Sequence, residues 1–331
     1  MPRLRKAFVR YLEGYRKTAV FAITSRCNCK CLMCDIHKSP AVDITLTDAK
    51  HVLNSLAQKH FLIVYLTGGE PTLHPHVEEI VSYADELGLV ASMTTNGTAQ
   101  KAKLKKLRDA GLYLMSVSVD HWDPEVCEKI RNHPEIHQKQ TTTIKYLREI
   151  GLKTYALAYL NSILVEDGVE KLVTYVNQKL GVPIGFCYPT SCDANTYWLG
   201  GRDNSHRLLE LRQAMRKILD IKRNGGKIVN LQCYLEDVVS FPSHNPNYYC
   251  RGGEDVVYID WFGDVYPCFC KSQRLFNMLK ETDLRFLKNI RCNECLVNCF
   301  REPSLLPHIH TSANLLAKEL THSLRTLNIY T

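Results

Sequence analysis

Cys27, Cys31 and Cys34 follow the apolar run Val20-Phe21-Ala22-Ile23-Thr24 in the order Cys-x3-Cys-x2-Cys. Three thiolates on one short loop are soft ligands, suited to zinc or to an iron–sulfur cluster. A structural zinc site is closed by four ligands. Three therefore leave one metal position open to a substrate or cofactor, unless a fourth ligand comes from elsewhere in the chain. Spacing alone leaves both readings standing. Cysteines return at Cys250, Cys268, Cys270, Cys292, Cys295 and Cys299. Between Cys250 and Cys268 lie an apolar strand, a Gly263-Asp264 turn and a second short strand, a hairpin that would bring the two cysteines toward one metal. Cys292-x2-Cys295 would supply two more ligands, giving either a zinc ribbon or a fully ligated cluster. Cys299 competes with Cys292 or Cys295 for that role, and Cys270 is spare in this count.

The elements that must position these residues alternate from Thr18 onward. Strands are expected at 19–24, 61–66, 89–94, 113–119, 153–160 and 183–188, and helices near 46–58, 76–87, 99–109, 139–150 and 168–180. Such alternation implies a parallel sheet with helical crossovers. Six units fit a partial (β/α)6 TIM-like barrel, with active residues at the C-terminal strand ends. A doubly wound open sheet would give the same alternation.

Several polar motifs fall at those strand ends. Gly68-Gly69-Glu70-Pro71 follows the second strand, where two glycines allow close backbone approach. Thr95-Asn96-Gly97 follows the third and is first of all a turn signal. Ser118 and Asp120 close the fourth, followed by Asp123-Pro124-Glu125 and Arg131. Asn161, just past the fifth, suits a helix cap as well as a ligand contact. A helix over 205–223 ends at Asn224-Gly225-Gly226. The Pro, Asn, His and Tyr of 242–249 read as an irregular connection. The expected divisions are a basic helix over 1–18, the barrel over 19–241, a small Cys-rich domain over 242–302 and a helical tail over 303–331, with leucines at helical spacing from Leu315 to Leu327.

Of the 331 residues, 45% are hydrophobic and 23% charged, the proportions of a soluble globular protein. No apolar run has the length of a membrane span, and no signal-peptide core stands at the N-terminus. A cytoplasmic location follows, where thiols stay reduced. Fourteen cysteines there argue for metal binding and against a disulfide framework. Most of the net charge of +8 lies in the first 18 residues, where Arg3, Arg5, Lys6, Arg10, Arg16 and Lys17 face Glu13 alone. Leu4, Phe8, Leu12 and Tyr15 at helical spacing make this a basic amphipathic helix, able to lie on an anionic membrane. The plainer reading is a helix covering the barrel floor with its charges in water. His74, His76, His308 and His310 lack acidic partners at ligand spacing and read as surface or core histidines.

Cys27, Cys31 and Cys34 after a first strand, then Gly68-Gly69-Glu70-Pro71 after a second, resemble the radical S-adenosylmethionine (SAM) enzymes. In that family three cysteines hold a 4Fe–4S cluster whose remaining iron is chelated by SAM. One electron then cleaves SAM to methionine and a 5′-deoxyadenosyl radical. The resemblance implies metal ligands at Cys27, Cys31 and Cys34, and SAM contacts at Gly68, Gly69, Glu70, Thr95, Asn96, Ser118 and Asp120. It also favours the partial barrel over the open sheet. Three departures are visible: Met33 where an aromatic residue is usual, His121 for the glycine after the aspartate, and Cys127 where a histidine is common. The spacing Cys250-x12-Gly263-x4-Cys268 with Cys292-x2-Cys295 is similar to the auxiliary-cluster domain called SPASM, or Twitch when shortened. It implies one auxiliary 4Fe–4S cluster held by Cys250, Cys268, Cys292 and Cys295, with a role in electron transfer.

The resemblance implies an electron donor such as flavodoxin or ferredoxin and hydrogen abstraction from a substrate that is a lipid or isoprenoid, a peptide or a sugar-like molecule. The basic N-terminal helix tilts this toward lipid, with peripheral membrane contact; no nucleic acid is expected. The molybdenum-cofactor cyclases of the superfamily end in Gly-Gly, whereas this sequence ends Asn328-Ile329-Tyr330-Thr331, which sets that identity aside. The alternative from another class is a non-catalytic zinc-binding protein with structural cysteines.

Overall fold

The computed structural model describes residues 2–189, 208–241, 249–305 and Glu319, with side chains from Lys6 onward. The barrel strands are β1 (Lys17–Thr24), β2 (Phe61–Gly68), β3 (Val90–Thr95), β4 (Leu114–Ser118), β5 (Lys153–Tyr159) and β6 (Ile184–Cys187). Around them run α1 (Pro2–Leu12), α2 (Leu46–Gln58), α3 (Val77–Glu86), α4 (Lys101–Asp109), α5 (Pro124–Arg131), α6 (Ile136–Glu149), α7 (Ser162–Asp167), α8 (Val169–Thr174), α9 (Leu208–Arg223) and α10 (Gln232–Ser240). The Cys-rich segment adds β7 (Val256–Ile259), β8 (Asp264–Tyr266), β9 (Phe276–Asn277) and α11 (Asn298–Arg301).

Among the described residues nine strands form one sheet in the order β6-β5-β4-β3-β2-β1-β7-β8-β9. β1 to β6 pair in parallel, as the partial (β/α)6 barrel requires. β7 pairs parallel to β1, and β8 and β9 continue antiparallel from it. The Cys-rich segment thus shares the barrel's sheet, although the expected boundary near 242 does follow the end of α10.

The alternation of side chains along a strand sets what each face of β1 meets. Ala19, Phe21 and Ile23 join the core built with Ala49, Val52, Leu53 and Leu56 of α2. Val20 and Ala22, on the other face, pack with Tyr258, Phe269 and Phe300 beside the late cysteines. One strand therefore carries both cores, and each fully buried large apolar side chain contributes about 1.5–3 kcal/mol. α2 begins where Thr45 accepts a bond from Asp48 N at 3.1 Å, a side-chain cap on an orphan donor.

The six strands and the helices over 46–58, 77–86 and 101–109 match the sequence reading closely. The segment near 168–180 is divided: α8 gives way to a π-helical turn over Tyr175–Leu180, closed by Gly181 at φ +68°. α5, α7, α10 and α11 were not foreseen. α5 is set by Asp123, whose Oδ1 accepts from Glu125 N at 2.9 Å and Val126 N at 3.3 Å ahead of Pro124 at the first helical position. The leucine-spaced tail lies outside the described residues apart from Glu319, whose carboxylate accepts from Gln232 N and Cys233 N at the start of α10.

Candidate functional site

Cys27, Cys31 and Cys34 line one cavity at the C-terminal strand ends, together with Gly68, Gly69 and Glu70. The two glycines are needed by the chain's own backbone. Gly68 has φ +138°, and a Cβ there would lie 2.1 Å from Thr24 O; a Cβ on Gly69 would lie 2.2 Å from Arg26 O and 2.8 Å from Cys27 Cβ. Gly69 N donates to Thr24 O at 2.9 Å and Glu70 N to Arg26 O at 2.7 Å, so the second loop is laid directly on the cysteine loop.

The Glu70 carboxylate is buried. It accepts from Thr72 N at 3.2 Å, Thr72 Oγ1 at 2.5 Å, Thr95 Oγ1 at 2.8 Å and Asn96 N at 2.6 Å. A carboxylate has about four acceptor positions, and internal donors occupy that many here. Burial pushes its pKa up against these bonds. Asn96 continues the chain of contacts: its Nδ2 donates to Asn28 Oδ1 at 2.7 Å and to Cys29 Sγ at 3.2 Å. The third strand end therefore grips the cysteine loop.

Asp120 stands behind the cavity wall and reaches it through Arg131. The two form an ion pair in which the carboxylate is buried and the guanidinium partly so, Asp120 Oδ1 also accepts from Tyr159 N at 2.9 Å, and Arg131 Nη1 stands 3.7 Å from Cys31 Sγ. Ser118 faces the cavity directly. A bond from Cys29 and the Arg131 charge lower the Cys31 thiol toward the thiolate a metal ligand must be, against burial. Burial pushes Cys27 up to about 11 and Cys34 up to about 12, so binding a metal would release their protons. Cys29, which stands within the motif but carries no ligand role in the sequence reading, is a fourth thiol of this loop in the cavity.

Among the described residues no three His, Cys, Asp or Glu side chains converge closely enough for a single metal ion. The fit to be judged is therefore to a multi-iron cluster, in which each thiolate holds a different iron. The sulfur-only donors Cys27, Cys31 and Cys34, beside a guanidinium that offsets their charge, fit such a group.

The second cysteine set also gathers. Cys250 and Cys292 exchange backbone hydrogen bonds at 3.0 and 3.1 Å. Cys268 feels the charges of Cys295, Cys250 and Cys292, and burial pushes both Cys250 and Cys268 up to about 12. Cys299 packs beside this group and also lines the cavity, where it meets Cys187 at the end of β6.

Other expectations resolve simply. Asn161 caps α7, accepting from Leu164 N at 2.9 Å. His121 links Asp167 at 3.0 Å to the Asp123 amide, and Cys127 donates to His121 O; neither lines the cavity. His74 is a core histidine bonded to Ile44 O at 2.8 Å, and His308 and His310 lie outside the described residues. On α1, Arg10 turns inward to Leu87 O and the Tyr15 ring, while Phe8 and Leu12 are exposed. No described helix is long and apolar enough to cross a membrane.

A partial barrel with three cysteines after its first strand, clamped by a Gly-Gly-Glu loop after its second, is the framework of an iron–sulfur enzyme that binds SAM. The chain matches the model of the radical SAM superfamily over residues 21–174. It is 33% identical over 296 residues to a GTP 3′,8-cyclase of Limosilactobacillus fermentum, covering 86% of this chain and 82% of the relative. An AdoMet-dependent heme synthase of Methanosarcina barkeri is 26% identical over 265 residues, 74% of each chain. Among solved structures, Streptococcus suis SuiB bound to S-adenosylmethionine superposes with a TM-score of 0.66 at 17% identity, covering 84% of this chain and 68% of that one, which is a likeness of fold. The chain belongs to the radical SAM superfamily, whose members bind a 4Fe–4S cluster and SAM.

Proposed function

We propose that Cys27, Cys31 and Cys34 hold the SAM-binding cluster, that Cys250, Cys268, Cys292 and Cys295 hold one auxiliary 4Fe–4S cluster, and that the substrate is uncharged and largely apolar, of the isoprenoid or lipid kind. A cluster held by Cys27, Cys31 and Cys34 would, when bound and reduced, supply the electron for SAM cleavage and so the means of hydrogen abstraction from that substrate. The chain's own residues bind and orient the reactants and exclude water. The backbone of Gly68 and Gly69 receives the SAM amino group, with the Glu70 carboxylate fixing the loop through Thr72, Thr95 and Asn96. Thr95, Asn96 and Ser118 line the SAM space, and Asp120 acts through Arg131.

One observation carries the substrate class. The wall beyond these loops is formed by Tyr188, Tyr258, Phe269 and Val297, and the sole cation among the described lining residues, Arg131, is already paired with Asp120. Among the described lining residues a triphosphate would find no free positive partner. Exposed Phe8 and Leu12 on a basic helix support peripheral contact with an anionic membrane, where such substrates reside. A low-potential flavodoxin or ferredoxin would supply the electron.

Iron and sulfide are to be counted after anaerobic reconstitution, with SAM cleavage by dithionite-reduced protein, in wild type and in the Cys27, Cys31, Cys34 to Ala triple variant. About eight irons per chain, falling to about four with loss of 5′-deoxyadenosine, is expected from the ligand counts. Stoichiometric zinc without 5′-deoxyadenosine would make this a zinc protein instead.

A further inference from the structure

The mechanism above leaves one pair of cavity groups unused. Cys187 ends β6, the last barrel strand, and Cys299 lies on α11, four residues past Cys295. The chain brings them together across more than a hundred residues, and both face the cavity that Cys27, Cys31, Cys34 and Glu70 also line. Their side chains are hydrogen-bonded to each other, and both are free thiols.

We propose that Cys187 and Cys299 form the hydrogen-atom donor of this cavity, returning a hydrogen to the carbon radical left in it after abstraction. The inference rests on the SAM-cleaving function proposed above. An S–H bond is weaker than an unactivated C–H bond, so transfer from sulfur to carbon runs downhill. One carbon radical takes H from one thiol, breaking S–H and forming C–H, and leaves a thiyl radical. The neighbouring thiol joins it as a disulfide radical anion, releasing a proton. One electron from the low-potential iron–sulfur or flavin donor, with two protons, then restores both thiols.

The surroundings suit a donor better than a ligand or nucleophile, each of which acts as a thiolate. The bond to Cys299 and burial push the Cys187 thiol well above the usual range, and Asp120 and Glu302 add to this. Among the described lining residues the sole cation is Arg131, which is taken up by Asp120.

Two measurements test the pair without the natural substrate. In the first, metal-free protein is oxidised mildly with diamide and its peptides are mapped; a Cys187–Cys299 disulfide is expected. In the second, reconstituted protein, SAM and dithionite are combined in D2O, where thiols exchange to S–D, and the 5′-deoxyadenosine formed is analysed by mass spectrometry. Wild type should place a deuterium atom on the 5′ carbon, and the Cys187→Ser/Cys299→Ser variant, with its iron content intact, should make 5′-deoxyadenosine without it. Serine preserves size and hydrogen bonding, but its O–H bond is too strong to donate. Should that variant lose iron, Cys187→Ala alone serves, and it must show less label than wild type. Undiminished label in an iron-replete variant would overturn the donor assignment and point to another thiol, Cys29 being the next in the cavity. Failure of the disulfide to form while other free thiols oxidise would overturn the pairing. Wild type making no 5′-deoxyadenosine would bring down the proposed function and the donor role together.

Discussion

Arg301 Nε donates to Asp237 Oδ2 across 2.6 Å, with both side chains closed off from solvent. The pair joins α11 to α10 and so fixes the height at which Cys299 enters the cavity. Arg301 also reaches Asn293 Oδ1 at 3.1 Å, between Cys292 and Cys295 of the knuckle. One guanidinium thus ties the barrel, the late cysteines and α11 together.

Removing one member of such a pair leaves an uncompensated buried charge. Arg301→Met or Asp237→Leu alone should each cost about 3–5 kcal/mol, while the double variant should recover much of it, because the desolvation penalty goes with both charges. Urea unfolding of the four proteins closes the cycle. Strictly additive losses would show that the pair is not coupled.

Gly69→Ala tests the laying of one loop on the other. With Arg26 O 2.2 Å from the new Cβ, backbone must move, and the atom it also meets is Cys27 Cβ. Reconstituted iron should fall from about eight to about four per chain, on the ligand counts. Gly151→Ala is the contrast: φ is +72° but the Cβ meets nothing within 4 Å. That change should cost about 1 kcal/mol with iron unaltered.

How much of this was legible beforehand depended on separation along the chain. The Cys27-Cys31-Cys34 loop and Gly68-Gly69 are local spellings, and strand alternation placed them at the same end of a sheet. Asn161 could be read as a cap because capping is also local. Arg131 was only noted in passing, since Asp123-Pro124 reads equally as a turn and the helix that aims the guanidinium went unrecognised. The Cys187–Cys299 contact leaves no local signal at all: it joins the end of β6 to α11 across more than a hundred residues of chain. The pairing of β7 with β1 explains why a chain cut at a composition change still folds as one sheet.

Glu70→Gln separates a loop-fixing carboxylate from one that only touches SAM. Glutamine has one acceptor oxygen, and its NH2 would face the Asn96 N–H or the Thr72 and Thr95 donors. A loss of about 1–3 kcal/mol in stability is expected from the donors left unpaired, together with slower SAM cleavage. Unchanged urea unfolding with impaired SAM cleavage would show that the side chain serves SAM alone.

Asp260 makes the stability of the Cys-rich segment depend on pH. Burial raises its carboxyl to about 6, against the bonds from Asp264 N and Phe262 N, and the neighbouring Asp264 adds to the rise. The folded state therefore holds a proton that the unfolded chain, at about 3.8, has already lost. Between these values the native state binds more protons, so this group's contribution to stability falls as pH rises from about 4 to about 6 and stays at its low value above. Its full size is on the order of 2–3 kcal/mol, from the width of that interval. Asp260→Asn retains Oδ1 to accept from Phe262 N at 2.9 Å and Asp264 N at 3.0 Å, without a charge to bury. The variant should be more stable than wild type at pH 7 by about 2 kcal/mol, and the gap should close as pH falls toward 4. Urea midpoints at pH 4.5, about 6 and about 7.5 read this directly, bracketing the titration. A gap that is constant across them would mean that the gain comes from packing and that the carboxyl is ionised throughout.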